Sequence, residues 1–163
     1  MVVSLHHFRQ EHPLLHAALR GMGDYVVSEA IGALGDKVGI SLRHGRQADP
    51  RYKDLVLNHP CLATVHSSLV APIGEELAFR RYPSRKLDAR GKTGTQWSTG
   101  LITSLVFAAG HRGPYGFPLP QFLGGLSLWE LQRKDGTAAA AVAHSVRNTF
   151  GLTIRIIRWR SAM

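Results

Sequence analysis

The sequence predicts an all-α fold, a compact multi-helix bundle. Three observations point there. Apolar residues recur at three- and four-residue spacing in several segments, the signature of helices with one buried stripe. The run "TAAAAVAHSVRNTF" is alanine-rich and strongly helix-forming. Three windows, 55–74, 93–110 and 113–129, carry no Asp, Glu, Lys or Arg.

The elements follow in chain order. Residues 1–12 are polar and His-rich and read as a ragged start. A helix begins at Pro13, a first-turn residue, with Leu15, Leu19, Met22, Val26, Ala30 and Ala33 in period and Gly35 as its end. Residues 41–53, "SLRHGRQADPRYK", are charged and read as a linker. A second helix runs from about Pro60 into Arg81, bends at Pro72 and stops before Pro83. A third covers Gln96 to His111, and "RGPYGFPLP" is a loop. A fourth covers Gln121 to Arg133 and is closed by "KDG". The alanine-rich run is the fifth. The tail, "LTIRIIRWRSAM", alternates apolar and basic residues and suits a strand or an amphipathic helix. The chain divides into an N-terminal helical segment with a basic linker (1–53), a helical domain (54–157) and a basic tail (158–163).

Composition narrows the class. With 163 residues the chain makes one ordinary domain. Its net charge of +9 invites an anionic partner, nucleic acid or a membrane surface. Aromatic and basic residues do not interleave as in nucleic-acid modules, so nucleic acid is not expected as a partner. The single cysteine, Cys61, excludes an internal disulfide and a multi-cysteine zinc site. No basic n-region leads into an apolar h-region in "MVVSLHHFRQEHPLL", so no cleaved signal peptide is expected. The uncharged windows contain Gly, Ser, Thr, Pro and His, mediocre for lipid-facing spans, although small residues let membrane helices approach closely. Basic residues flank several windows, so spanning a membrane, lying on one and being soluble all stay open at this point, and the topology is undetermined.

The chemistry-bearing residues form three pairs, each four apart and so on one helix face. Glu76 and Arg80 invite an intrahelical ion pair, which leaves the adjacent Glu75 free to point elsewhere. Phe107 and His111 end an apolar helix, where a histidine also suits the C-terminal dipole. His144 and Asn148 lie on the alanine-rich helix, whose small neighbours let other backbones come close. Brought together, Glu and His can activate water as a general base, and His and Asn can donate to an oxyanion. Glu75, His111 and His144 are also an acceptable ligand set for zinc or another divalent metal. A solvated Glu–Glu face is the plain alternative.

In order and spacing these motifs, "EELAFR", "FAAGH" and "HSVRN", resemble the EExxxR, FxxxH and HxxxN of the CPBP family, the CAAX-protease and Abi group of intramembrane proteases. The resemblance covers about residues 57–150. It implies a membrane-embedded helical endopeptidase acting on a peptide or protein substrate, with lipid contact. Within it, Glu75 and His111 would activate the attacking water, and His144 and Asn148 would hold the oxyanion. Glu76, Arg80 and Phe107 would support them. The mechanism implied is glutamate-type or zinc-dependent, and the residues leave both open. A non-catalytic immunity or binding protein on the same scaffold is the alternative function. Nothing in the sequence marks a prenyl-peptide specificity.

Overall fold

Every regular element among the described residues is helical. The structure, a computed structural model, describes residues 5–40, 50–87, 93–111 and 118–163. The start of the predicted linker (41–49) and most of the "RGPYGFPLP" loop (112–117) lie outside the described residues.

The polar start is itself helical, as α1 (Leu5–Glu11). Helix α2 (Pro13–Lys37) begins with Pro13 in its first turn, where a missing N–H costs nothing, and passes Gly35 by two residues. Its inward face is small, with Ala17, Gly21, Gly32 and Gly35 buried. The larger members of the predicted stripe, Leu15, Leu19, Met22 and Val26, face outward. Small residues let α2 lie close on the last helix. A Cβ added at Gly21 would sit 2.2 Å from the carbonyl oxygen of Ala143, so this position accepts no side chain without moving backbone. Helix α3 (Pro50–Asn58) replaces the end of the predicted linker, again opened by proline.

The long helical rod that follows departs from expectation at the second of its interior prolines. It runs as α4 (Pro60–Val65), a π turn (His66–Val70), α5 (Ala71–Glu76), a second π turn (Leu77–Arg81) and α6 (Tyr82–Leu87). A helix was expected to stop before Pro83, yet it continues for another turn. The reason is local. A π turn precedes each proline, and there the N–H of Ala71 reaches His66 O and that of Tyr82 reaches Leu77 O. The wider turn accommodates a ring that would otherwise clash with the carbonyl one turn back.

Helix α7 (Thr93–Gly110) coincides with the second uncharged window. Helix α8 (Leu119–Ser161) consists of two arms that meet at Gly136, whose φ of 88° is open to glycine but strained for other residues. This is the predicted "KDG" closure. The arms fold back on each other, since Arg147 in the second donates to the carbonyl of Pro120 at the start of the first (3.0 Å). The tail continues the second arm as helix rather than strand.

Among the described residues, two apolar clusters hold the bundle. One joins α2 to both arms of α8 through Ala17, Leu128, Leu131, Ala139 and Ala143. The other joins α3 and α4 to the end of α8 through Val56, Ala63 and Leu152, with Tyr52 and Trp159 alongside. Polar ties reinforce the first. Arg20 of α2 donates to Ser127 Oγ (2.9 Å) and Glu130 Oε2 (2.6 Å). Hydrogen bonds from Arg20 and Lys134 hold the Glu130 carboxyl down at about 2. Among the described residues, no helix is long and apolar enough to cross a membrane.

Candidate functional site

Glu75, His111, His144 and Asn148 line one cavity of about 370 Å³. They arrive from three directions: Glu75 from α5 between the π turns, His111 from the end of α7, and His144 and Asn148 from the second arm of α8. Helices α2 and α3 close the far wall with Tyr25, Ser28, Glu29 and Tyr52.

Glu75 divides its carboxylate between two imidazoles. Its Oε1 lies 3.9 Å from His111 Nε2, and its Oε2 lies 3.5 Å from His144 Nε2. Both are beyond a short direct hydrogen bond and within reach of one small molecule bonded to each side. His111 Nδ1 is 2.8 Å from the carbonyl oxygen of Phe107. A carbonyl only accepts, so Nδ1 carries a proton, and Nε2 is turned toward Glu75. The helix-terminal reading of this histidine and its place at the cavity are thus compatible.

Glu76 does more than pair with Arg80. Its Oε1 is 3.2 Å from Arg80 Nη1, and both side chains are fully buried. The same oxygen accepts from His144 Nδ1 at 2.8 Å, a bond between helices that fixes the imidazole with Nε2 toward Glu75. Arg80 is held on its other side by the face of Phe107, with the guanidinium carbon 4.4 Å from the ring centroid. Burial lowers the Arg80 guanidinium from its ordinary value, opposed by Glu76 and Glu75. Phe107 also meets His144 edge-on at 5.8 Å, so one ring packs against three members of the set.

Asn148 is fixed by the first π turn. Its Nδ2 donates to Ser67 O at 2.9 Å. That carbonyl is available for a specific reason. In an α-helix it would accept from Ala71, but the N–H of Ala71 goes to His66 O. The next amide along the chain is Pro72, which has no N–H to offer. The π turn and the proline together leave Ser67 O to the carboxamide of another helix.

Zinc would require three side chains converging on one point. Among the described residues no three His, Cys, Asp or Glu side chains stand together so as to hold a metal ion. Glu75, His111 and His144 do not fit one as placed.

Sequence reasoning missed Arg147. It is buried, donates to Ser28 Oγ (2.9 Å) and Pro120 O, and lines the same cavity. The signal was present in "HSVRN", where Arg147 stands three residues after His144 and so shares its side of the helix. Near Arg147, burial raises the Asp24 carboxyl, with Ser127 and Arg147 opposing. The partnership of Glu76 with His144 was missed as well, because i,i+4 spacing accounts for only one of its contacts.

Residues 57–150 match a family model described as type II CAAX prenyl endopeptidase, Rce1-like. No curated protein and no solved structure matches the chain. The matched stretch holds the whole set from Glu75 to Asn148, whereas α2 lies outside it.

Proposed function

Because the chain belongs to the Rce1-like family of type II CAAX prenyl endopeptidases, we propose that it is a peptidase using a water activated by Glu75 and His111. The observation that carries this is the placement of the Glu75 carboxylate between His111 Nε2 and His144 Nε2 in one cavity. A water oxygen about 2.8 Å from both Glu75 Oε1 and His111 Nε2 fits their separation. Glu75 takes its proton as the oxygen attacks the peptide carbonyl. The carbonyl oxygen becomes an oxyanion, and two donors meet it: Nε2–H of protonated His144 and the second N–H of Asn148 Nδ2. When the C–N bond breaks, the proton on Glu75 passes to the leaving amine.

Glu76 and Arg80 act through His144. The buried carboxylate holds the ring in one orientation, with Nε2 toward Glu75, as a positioning acid does beside a catalytic imidazole.

His144→Ala and Asn148→Ala are expected to lower kcat by roughly 10²–10³-fold each with smaller effects on KM, as removal of an oxyanion donor does. Steady-state cleavage of a peptide mixture by the purified chain measures this. A change confined to KM would remove these residues from the oxyanion site.

Apolar side chains are exposed on two helical faces. Leu62, Val65, Leu69, Ile73 and Leu77 form an exposed stripe at helical spacing, and Leu101, Ile102, Leu105 and Val106 form another on α7. Contiguous apolar patches of this kind mark membrane or partner contact, and a net charge of +9 favours an anionic headgroup layer. We place the chain at a membrane on these grounds. High salt is expected to leave it in the membrane fraction and detergent to release it. Release by salt alone would show that charge, not these stripes, holds it there.

A further inference from the structure

We propose that Arg155 is a specificity-determining residue that binds a carboxylate on the peptide within about two residues of the scissile bond. This rests on the peptidase reading of the cavity. His144, Asn148, Gly151 and Arg155 recur at four-, three- and four-residue spacing, so they form one stripe along the second arm of α8. All four line the cavity. Gly151 contributes no side chain to it, and Arg155 folds back into the space. A Cβ at Gly151 would lie 3.3 Å from Arg155 Nη2 and 3.4 Å from Tyr25 Cε2. The guanidinium therefore stands over Gly151, which is three residues, about 4.5 Å of helix rise, beyond Asn148. An extended peptide advances about 3.3 Å per residue. A peptide whose carbonyl oxygen sits at Asn148 thus brings a group one or two residues away to Arg155.

The charges nearby favour an anion. Arg147 lines the cavity beside Asn148, and burial lowers its guanidinium, with Asp24 opposing and Arg80 and Arg155 adding to the effect. Glu29 also lines the cavity, but it is engaged by Arg158 at 3.6 Å. Among the described residues no acidic side chain forms an ion pair with Arg155. A half-buried guanidinium without a carboxylate partner, next to a second buried cation, is completed by an anionic ligand. That carboxylate is either an Asp or Glu side chain or the free C-terminus of the peptide.

The test uses the full chain in detergent with a set of ten-residue peptides. Each carries Glu, Gln or Lys at one varied position and ends in a free acid or an amide, and products are read by mass spectrometry. Cleavage by the wild type is expected to favour the carboxylate by about 10- to 100-fold. Preference for Glu over Gln identifies a side chain, and preference for acid over amide identifies the terminus. Arg155→Gln is expected to reduce the ratio to within about threefold of unity, and Arg155→Glu to shift preference toward Lys. A wild-type ratio near one, or a ratio unchanged in Arg155→Gln, overturns the proposal while leaving the peptidase reading intact. Binding of the same peptides by fluorescence anisotropy separates the remaining cases. If nothing is cleaved but carboxylate peptides bind in an Arg155-dependent way, the peptidase reading fails and the subsite stands. If anisotropy shows no carboxylate preference, the subsite falls.

Discussion

Replacing Glu75 by Gln is expected to lower kcat by roughly 10²–10⁴-fold, about 3–5 kcal/mol of transition-state stabilisation, with the melting temperature within a few degrees of wild type. The amide keeps the shape of the side chain and its contacts with His111 and His144 but cannot take a proton from water. Stability should hardly change, because Glu75 is partly exposed to the cavity and carries no core packing. His111→Ala should fall by a similar factor, since its Nε2 addresses the same water. The double variant should be little worse than either single one, because the two groups act on a single proton transfer. Additive losses would mean that the residues serve separate steps. Kinetics on the three variants, with thermal melts of each, make the comparison.

The second large effect concerns Glu76 and Arg80. Both are fully buried and 3.2 Å apart, and removal of either takes the ion-pair partner from a buried charge. Glu76→Ala or Arg80→Ala is expected to cost about 3–5 kcal/mol, a drop in melting temperature of roughly 10 °C. Replacing both, as Glu76→Leu with Arg80→Met, should restore much of that stability, because apolar residues of similar volume often pack as well as a buried ion pair. Activity should not return with it. His144 would have lost the carboxylate 2.8 Å from its Nδ1 and with it a fixed orientation. Recovery of both stability and cleavage in the double variant would show that Glu76 is structural only.

Much of the bundle was legible in the sequence because helices advertise themselves locally. The 3.6-residue period placed α2 and α7, and the alanine-rich run together with "KDG" placed the two arms of α8 and the turn at Gly136. Pairing at i,i+4 identified the faces that carry Glu76, His111, His144 and Asn148. What stayed hidden depends on contacts between helices or on hydrogen bonds that a sequence does not display. The π turns are one case: Pro72 looked like a bend and Pro83 like a stop, yet a wider turn precedes each, the rod continues past Pro83, and the first turn gives Ser67 O to Asn148. The outward orientation of Leu15, Leu19, Met22 and Val26 is another. Periodicity shows that one face is apolar but not whether that face meets the core or something outside it. Arg147 escaped because a buried arginine is recognised by its partners, and Ser28 lies more than a hundred residues away.

The central claim is that this cavity hydrolyses peptide bonds, and cleavage in ¹⁸O-labelled water tests it most directly. Wild-type chain in detergent is incubated with the peptide set alongside folded Glu75→Gln and His111→Ala, and new termini are sought by mass. The expected result is new C-termini, each carrying one ¹⁸O, from the wild type and a loss of roughly 10²-fold or more in both variants. No new termini from the wild type, or the same cuts at the same rate from Glu75→Gln, would contradict it.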